Sequence, residues 1–305
     1  MTRVSTSVRR PVGAGVGLVL DQLWPEPPSV VHPVALFGRL MDHVELRNYR
    51  DARVPGVVHA LVGAAVGSTA GSVMRSTTAA TALAVGGRAL REAARDVSTA
   101  LSAGDLTRAR AALPALVGRD PNDLNAEEIA RATIESVAEN TVDAIVAPAL
   151  WAAVAGPAGA LAYRAVNTMD AVVGHHSTRY ENYGWASARL DDVANWLPAR
   201  CTAALVALVR PRATREIRWV VSHQAPAHPS PNSGVAEAAF AAALGVRVGG
   251  RNRYGDRVED RAPLGRGRAP APSDIEAAVR LCRDVTTALA AALGVAGAAR
   301  WWSER

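Results

Sequence analysis

"ESVAENTVDAIVAPALW", residues 135–151, sets Glu135, Glu139, Asn140 and Asp143 directly before a run of Ala, Val, Pro and Trp. Carboxylates are costly beside an apolar segment, and more so beside lipid, unless something holds their charge. Upstream, Glu128, Arg131, Glu135, Glu139 and Asp143 recur at three- and four-residue steps, so a helix begun near Asn125 carries them on one face. Asn125, with Glu128 three residues on, has the pattern of an N-cap. The plain reading of this face is a solvated stripe paired by Arg131. Against it, the three acids after Arg131 repel one another and lead into the apolar run. A divalent cation near Glu135, Glu139 and Asp143 resolves both difficulties.

The run that follows, "AIVAPALWAAVAGPAGALAY" (144–163), is uncharged and about the length of a membrane span, as is "VPGVVHALVGAAVGSTAGSVM" (54–74), whose small residues suit close helix packing. Residues 76–90, 201–209 and 285–299 are shorter candidates that serve equally as buried helices of a soluble protein. Hydrophobic residues make up 49% of the 305-residue chain but aromatics only 5%, so the apolar mass is mainly Ala, Val, Leu and Gly. A mean hydropathy of +0.06 suits a few membrane helices joined by polar segments, with a wholly soluble Ala-rich helical enzyme as the competing reading. Residues 91–140 read as water-facing helix, and 210–280 as polar and loop-rich with hardly any strand alternation. The N-terminal "MTRVSTSVRRPVGAGVGLVLDQLW" resembles a signal peptide, but Asp21 closes the run with no small-x-small cleavage site before it, which favours a retained segment or buried helix. The expected fold is mostly α: a polytopic membrane helical bundle with polar helical and loop segments, residues 1–305 forming one domain.

All 34 basic residues are Arg; Lys does not occur. This excludes a Schiff-base lysine and a Walker A loop, so any nucleotide phosphate must be met by Arg and metal. The net charge of +6 invites a nucleic-acid reading, but Arg is dispersed and no zinc-finger or RRM pattern accompanies it, so no nucleic-acid partner is expected. Arg flanking apolar helices is also the mark of cytoplasmic loops. Two cysteines, Cys201 and Cys282, exclude a disulfide framework and a Cys-rich zinc site.

Two further stretches carry chemistry. In "YRAVNTMDAVVGHHSTRYENYGWASARLDDVANWLPAR" (163–200), Asn167 and Asp170 are three apart, as are Asp192 and Asn195, and Asp191 is four from Asn195. Each pair can aim oxygen ligands at one point, as a sparse Mg²⁺ site does, while Arg164, Arg179, Arg189 and Arg200 offer partners for phosphate or carboxylate. In "HPSPNSGVAEAAFAAALGVRVGG" (228–250), Ser230, Asn232, Ser233 and Gly234 precede an Ala-rich helix, either as an ordinary cap or as an anion site at its N-terminus. His32 and the pair His175–His176 lack a third clustered zinc ligand, and no G-x-S-x-G, G-x-G-x-x-G or H-E-x-x-H motif occurs.

In order along the chain, "HPVALFGRL", "GRDPNDLNAEEIARATIESVAENTVDAIVAPALWAA", the 163–200 stretch and "SPNSGVAEAAFAAALGVRVGG" resemble the CobD/CbiB family, the adenosylcobinamide-phosphate synthases or cobyric acid–aminopropanol ligases of cobalamin biosynthesis. Val235 departs from the aromatic residue many relatives carry after "SPNSG". The resemblance implies a multi-pass cell-membrane enzyme, its site on the cytoplasmic side, with about four or five spans. It implies ATP-dependent amide formation between the free propionate of adenosylcobyric acid and (R)-1-amino-2-propanol or its O-phosphate, with Mg²⁺ and ATP required. On that reading Glu135, Glu139, Asp143, Asp191 and Asp192 bind Mg²⁺ or act as base, and Asn167, Asp170 and Asn195 complete the ligand set. Arg164, Arg189 and Arg200 hold phosphate or the corrin edge, and His32, Asn167, Ser230 and Asn232 lie at the substrate. Membrane lipid, other corrin-assembly enzymes or a second copy of the chain are the expected partners. The competing classes are a membrane Mg²⁺-dependent prenyl- or phospho-transferase, whose acid clusters "NTMD" and "DDVAN" resemble, and a non-catalytic scaffold.

Overall fold

A computed structural model describes residues 5–24, 33–118, 120–174, 177–254 and 257–304, so His32, His175 and His176 lie outside the described residues. The chain is mostly α. In order the helices are α1 (Thr6–Leu23), α2 (Pro33–Asn48), α3 (Arg53–Met74), α4 (Thr77–Ala84), α5 (Gly87–Ser102), α6 (Leu106–Ala112), α7 (Ala126–Thr141), α8 (Ala147–Met169), α9 (Trp185–Val209), α10 (Thr214–His223), α11 (Ser233–Leu244) and α12 (Pro272–Ser303). Five-residue π turns, Val142–Val146 and Asp170–Gly174, flank α8. Strands β1 (Val248–Tyr254) and β2 (Arg257–Leu264) form an antiparallel hairpin between α11 and α12.

Among the described residues three helical stretches are long and apolar enough to cross a membrane: Arg53–Met74, Ala126–Gly174 and Pro272–Ser303. These candidates, counted among the described residues, are fewer than the four or five spans the resemblance implies. Residues 76–90 are split between α4 and α5, where Ser76 caps α4 by accepting the Ala79 amide, and 201–209 is only the last part of α9. Within the stretch read as polar and loop-rich, 210–280, the hairpin is the element the sequence did not show. Its strands, VGGRNRY and RVEDRAPL, mix Arg, Gly and acids with a few scattered apolar residues, so no regular apolar alternation marks them.

The chain divides into two compact units. The first comprises Met1–Gly86, Asp143–Asn195 and Leu289–Arg305; the second comprises Gly87–Val142 and Trp196–Ala288. In the first, α3 packs on α8 through glycines. A Cβ on Gly67 would strike the Leu161 carbonyl, and one on Gly71 the Pro157 carbonyl, so small residues here set how closely the backbones approach. The opposite face of α3 is apolar and exposed, with Val54, Val58, Leu61 and Val73 outward, as a lipid-facing helix requires. Helix α8 breaks at Gly156, φ 69°, before Pro157, and Arg10 donates to the Val154 carbonyl at the break, 2.9 Å away.

In the second unit, Asn125 and Glu128 form the expected capping box on α7, each side chain bonding the other's backbone amide. Helix α7 is not water-facing: Ile129, Ile134, Val137 and even Glu135 are buried. Helix α11 is apolar all round and buried from Gly234 to Ala242, with Phe240 fully enclosed.

Gly67→Leu forces a branched side chain against the Leu161 backbone, an overpacking that costs about 1–3 kcal/mol. In detergent, its thermal unfolding midpoint is expected several degrees below that of the parent, whereas Gly38→Ala, at a position with open space, leaves it unchanged.

Candidate functional site

In the first unit residues 163–195 of the motif fold into a hydrogen-bonded cluster. Asn167, late in α8, donates to Asp191 Oδ1 at 3.2 Å, and Asn195, one turn along α9, donates to Asp191 Oδ2 at 2.9 Å. Asn195 is buried and accepts in turn from the Tyr163 hydroxyl at 2.8 Å, which also lies within electrostatic reach of Asp143 and Asp191. Arg164 approaches Asn167 Oδ1 at 3.4 Å. The Trp151 indole donates to the Ala194 carbonyl at 3.1 Å, tying α8 to α9 beside the cluster. Asp191 therefore has both oxygens oriented by amide donors, an arrangement that fixes a carboxylate in one pose.

Not every predicted partner joins this cluster. Asp192 pairs with Arg189 at 3.0 Å one turn away, and Arg189 is largely exposed, so that ion pair contributes little to stability. Asp170 sits in the second π turn, its carboxylate against the space a Gly174 Cβ would take. The loop leading into α9 is anchored separately. Buried Glu45 accepts from Arg179 at 2.8 Å and Tyr180 at 3.0 Å, and the Tyr183 phenol is pushed up to about 12 by burial, with Glu45 adding to it.

The second unit holds Glu135, Glu139, Arg200, Ser230 and Asn232. Glu135, 2% exposed, accepts the Gly249 amide at 2.8 Å and lies 3.7 Å from Arg131. Glu139 accepts from the Ser233 hydroxyl at 2.8 Å. The start of α11 is closed by Ser230, whose Oγ accepts the amides of Asn232 and Ser233 at 3.3 and 3.1 Å. Asn232 is thereby released from capping, and its Oδ1 accepts from Arg200 at 3.0 Å, while Arg200 stacks on Trp196.

Three residues escaped the sequence reading. Tyr163 begins the motif and is the buried end of the Asp191 network. His228, two residues before Ser230, lies 3.1 Å from the Ser230 amide through Nδ1 and 3.6 Å from Glu237 through Nε2. Glu237 is the one acid in the Ala-rich α11 and is 1% exposed, a signal visible in the sequence. Gly234 follows from His228, since a Cβ there would meet the imidazole.

The donor sets do not make a preformed metal site. Among the described residues no three Asp, Glu, His or Cys side chains converge to hold an ion, and the oxygens of Asp191, Asn167 and Asn195 are engaged by donors within the cluster.

A family model described as CobD/Cbib protein matches residues 14–282. The chain is 45% identical over 304 residues to a cobalamin biosynthesis protein CobD of Mycobacterium tuberculosis, covering 95% of this chain and 96% of that one. It is 46% identical to the Mycobacterium bovis protein of that name, over 94% and 95% of the two chains, and 37% identical to that of Rhodobacter capsulatus, over 93% and 95%. No solved structure matches.

Burial lowers the pKa of His228, against smaller opposing effects of the Ser230 backbone, Glu139 and Glu135, with Arg261 assisting. The unfolded chain therefore takes up this proton near its ordinary pKa of about 6.5 while the folded protein does not, so stability is lost as pH falls through that value. Thermal unfolding in detergent is expected to show a smaller fall in midpoint between about pH 7.5 and about pH 5.5 for His228→Gln than for the parent.

Proposed function

The chain belongs to the CobD/CbiB family, of cobalamin biosynthesis, and on that premise we propose that it is the ATP-dependent ligase joining adenosylcobyric acid to (R)-1-amino-2-propanol or its O-phosphate. The observation that carries this reading is the Asp191 carboxylate fixed by Asn167 and Asn195, backed by buried Tyr163, inside the stretch that the family model spans.

A carboxylate does not condense with an amine at neutral pH, because oxide is a poor leaving group. A propionate oxygen of the corrin first attacks the γ-phosphorus of ATP and releases ADP, giving an acyl phosphate. The neutral amine nitrogen then attacks the acyl carbon, the C–O bond to phosphate breaks, and phosphate departs. The proton shed by nitrogen passes to a carboxylate, a role assigned to Asp191, whose pose is set by its amide donors. Within the first unit Arg164, beside Asn167, meets the phosphate or the corrin's carboxylate and amide edge, as guanidinium forks suit planar oxyanions. Asn232 orients Arg200, and Ser233 orients Glu139. Mg²⁺ belongs to this reading as the counter-ion ATP brings with it, part of the substrate. The apolar helices support a multi-pass membrane location. The Arg-rich, Lys-free polar segments support a cytoplasmic face for the site, with lipid, a second copy or other corrin-assembly enzymes as neighbours.

Purified protein supplied with adenosylcobyric acid, Mg²⁺-ATP and either amine is expected to yield a corrin product whose mass has gained the amine less water. Asp191→Asn keeps the side-chain volume but sets one NH2 against the amide of Asn167 or Asn195, so its unfolding midpoint is measured alongside; in folded protein it is expected to lower kcat/KM by about 100-fold or more. Near-parental turnover in this variant removes Asp191 from the chemistry. A parent protein that ignores cobyric acid removes the ligase reading altogether.

A further inference from the structure

The first unit carries a groove of about 560 Å³ between the start of α1, the turn of α8 before its break and the last part of α12. Arg10, Arg300 and Ser7 form its polar end, and Ala153, Val154 and Ala296 belong to its apolar wall. Arg10 donates to the Val154 carbonyl at 2.9 Å and Arg300 to the Ser7 carbonyl at 3.2 Å. Among the described residues neither guanidinium forms an ion pair, so both bring their full charge to the groove. Nearby Glu304 accepts from the Ser5 hydroxyl at 2.9 Å and from that of Ser7, which ties the end of α12 to the start of α1. No side chain caps the first turn of α1, and its partial positive charge adds to that of the arginines.

These groups gather at one end of the apolar helices. Gly71, in the last turn of α3, lies against the Pro157 carbonyl just past the α8 break, and α12 closes on Arg300, Trp301 and Trp302, the last 77% exposed. Arginine beside exposed tryptophan at the end of a candidate span is the composition of a membrane–water boundary. Val154 and Val295, beside the groove, are outward and exposed. A soluble anion would leave the apolar wall uncovered, whereas an amphiphile with an anionic head meets both ends. The volume lies within the roughly 300–1,000 Å³ of ligand sites, room for a headgroup and the upper part of its chains. We propose that this groove binds an anionic phospholipid, its phosphate on Arg10 and Arg300 and its acyl chains along Ala153, Val154 and Ala296. The assignment rests on the membrane location and not on the ligase reading.

The thermal unfolding midpoint of the full chain in detergent tests it, with phosphatidylglycerol, phosphatidylcholine of the same chains and glycerol phosphate added separately. Phosphatidylglycerol is expected to raise the midpoint by at least about 3 °C more than phosphatidylcholine does, and glycerol phosphate to leave it unchanged. Arg10→Gln with Arg300→Gln is expected to abolish the difference between the lipids. Because both arginines also bond backbone carbonyls, Ala296→Trp serves as a second variant: it fills the groove from an exposed position, keeps both charges and is expected to abolish the difference as well. Equal shifts with the two lipids, a glycerol phosphate effect matching that of phosphatidylglycerol, or a lipid difference retained in either variant overturns the assignment. So does a dimer in size-exclusion chromatography that Ala296→Trp splits, since a second copy then covers the groove. Recovery of the chain from the soluble fraction without detergent removes the membrane location and this site together. Amide formation by a protein with no lipid preference removes the site and leaves the ligase reading intact, while a lipid preference lost in both variants of a protein that forms no corrin product upholds the site and removes the ligase.

Discussion

Carboxylates inside an Ala-rich helical protein must be met by donors, and that requirement organises both units. An ionised group removed from water without partners costs several kcal/mol, more than one side chain's packing returns. Glu135 is met by the Gly249 amide, Glu139 by Ser233, Asp191 by two asparagines and Glu45 by Arg179 with Tyr180. Each donor sits in a different element from its acceptor or a turn away, so the acids serve as joints of the fold as well as candidate chemistry. The hairpin start, the α11 cap and the entry to α9 are each fixed by one of them.

The absence of Lys sharpens this design. Every cation is a planar guanidinium, able to stack on an aromatic ring or to bond two carbonyls at once. Arg131 grips the carbonyls of Gly249 and Arg251, Arg200 stacks on Trp196 while holding Asn232, and Arg179 lies over Tyr49 while bonding Glu45. These arginines build the frame. Others, such as Arg10 and Arg300, make no ion pair among the described residues and remain available to an anion.

Much of this was legible in the sequence, for physical reasons that differ by element. The capping box at Asn125 and Glu128 is a local pattern and was read directly. The apolar run 54–74 became α3 because length and lack of charge leave few alternatives. The hairpin was not legible, since strands that mix Arg, Gly and acids with scattered apolar residues carry no regular alternation and their pairing is a tertiary fact. The acid–amide spacing of 167–195 pointed to two clusters, 167 with 170 and 191–192 with 195; the structure instead joins Asn167 and Asn195 on Asp191, while Asp192 pairs with Arg189, because spacing fixes a helix face but not what that face meets. The burial of His228 against Glu237 depends on how α11 packs, although an acid alone in an Ala-rich helix marks the place.

The central claim is that the corrin carboxylate is activated by phosphoryl transfer before the amine attacks. Adenosylcobyric acid labelled with heavy oxygen in its free propionate, turned over with Mg²⁺-ATP and amine, tests this most directly, with the released inorganic phosphate analysed by mass. The account predicts one labelled oxygen in the inorganic phosphate for each amide formed, together with ADP. Label appearing in AMP, or amide formed with no label leaving the carboxylate, would contradict it.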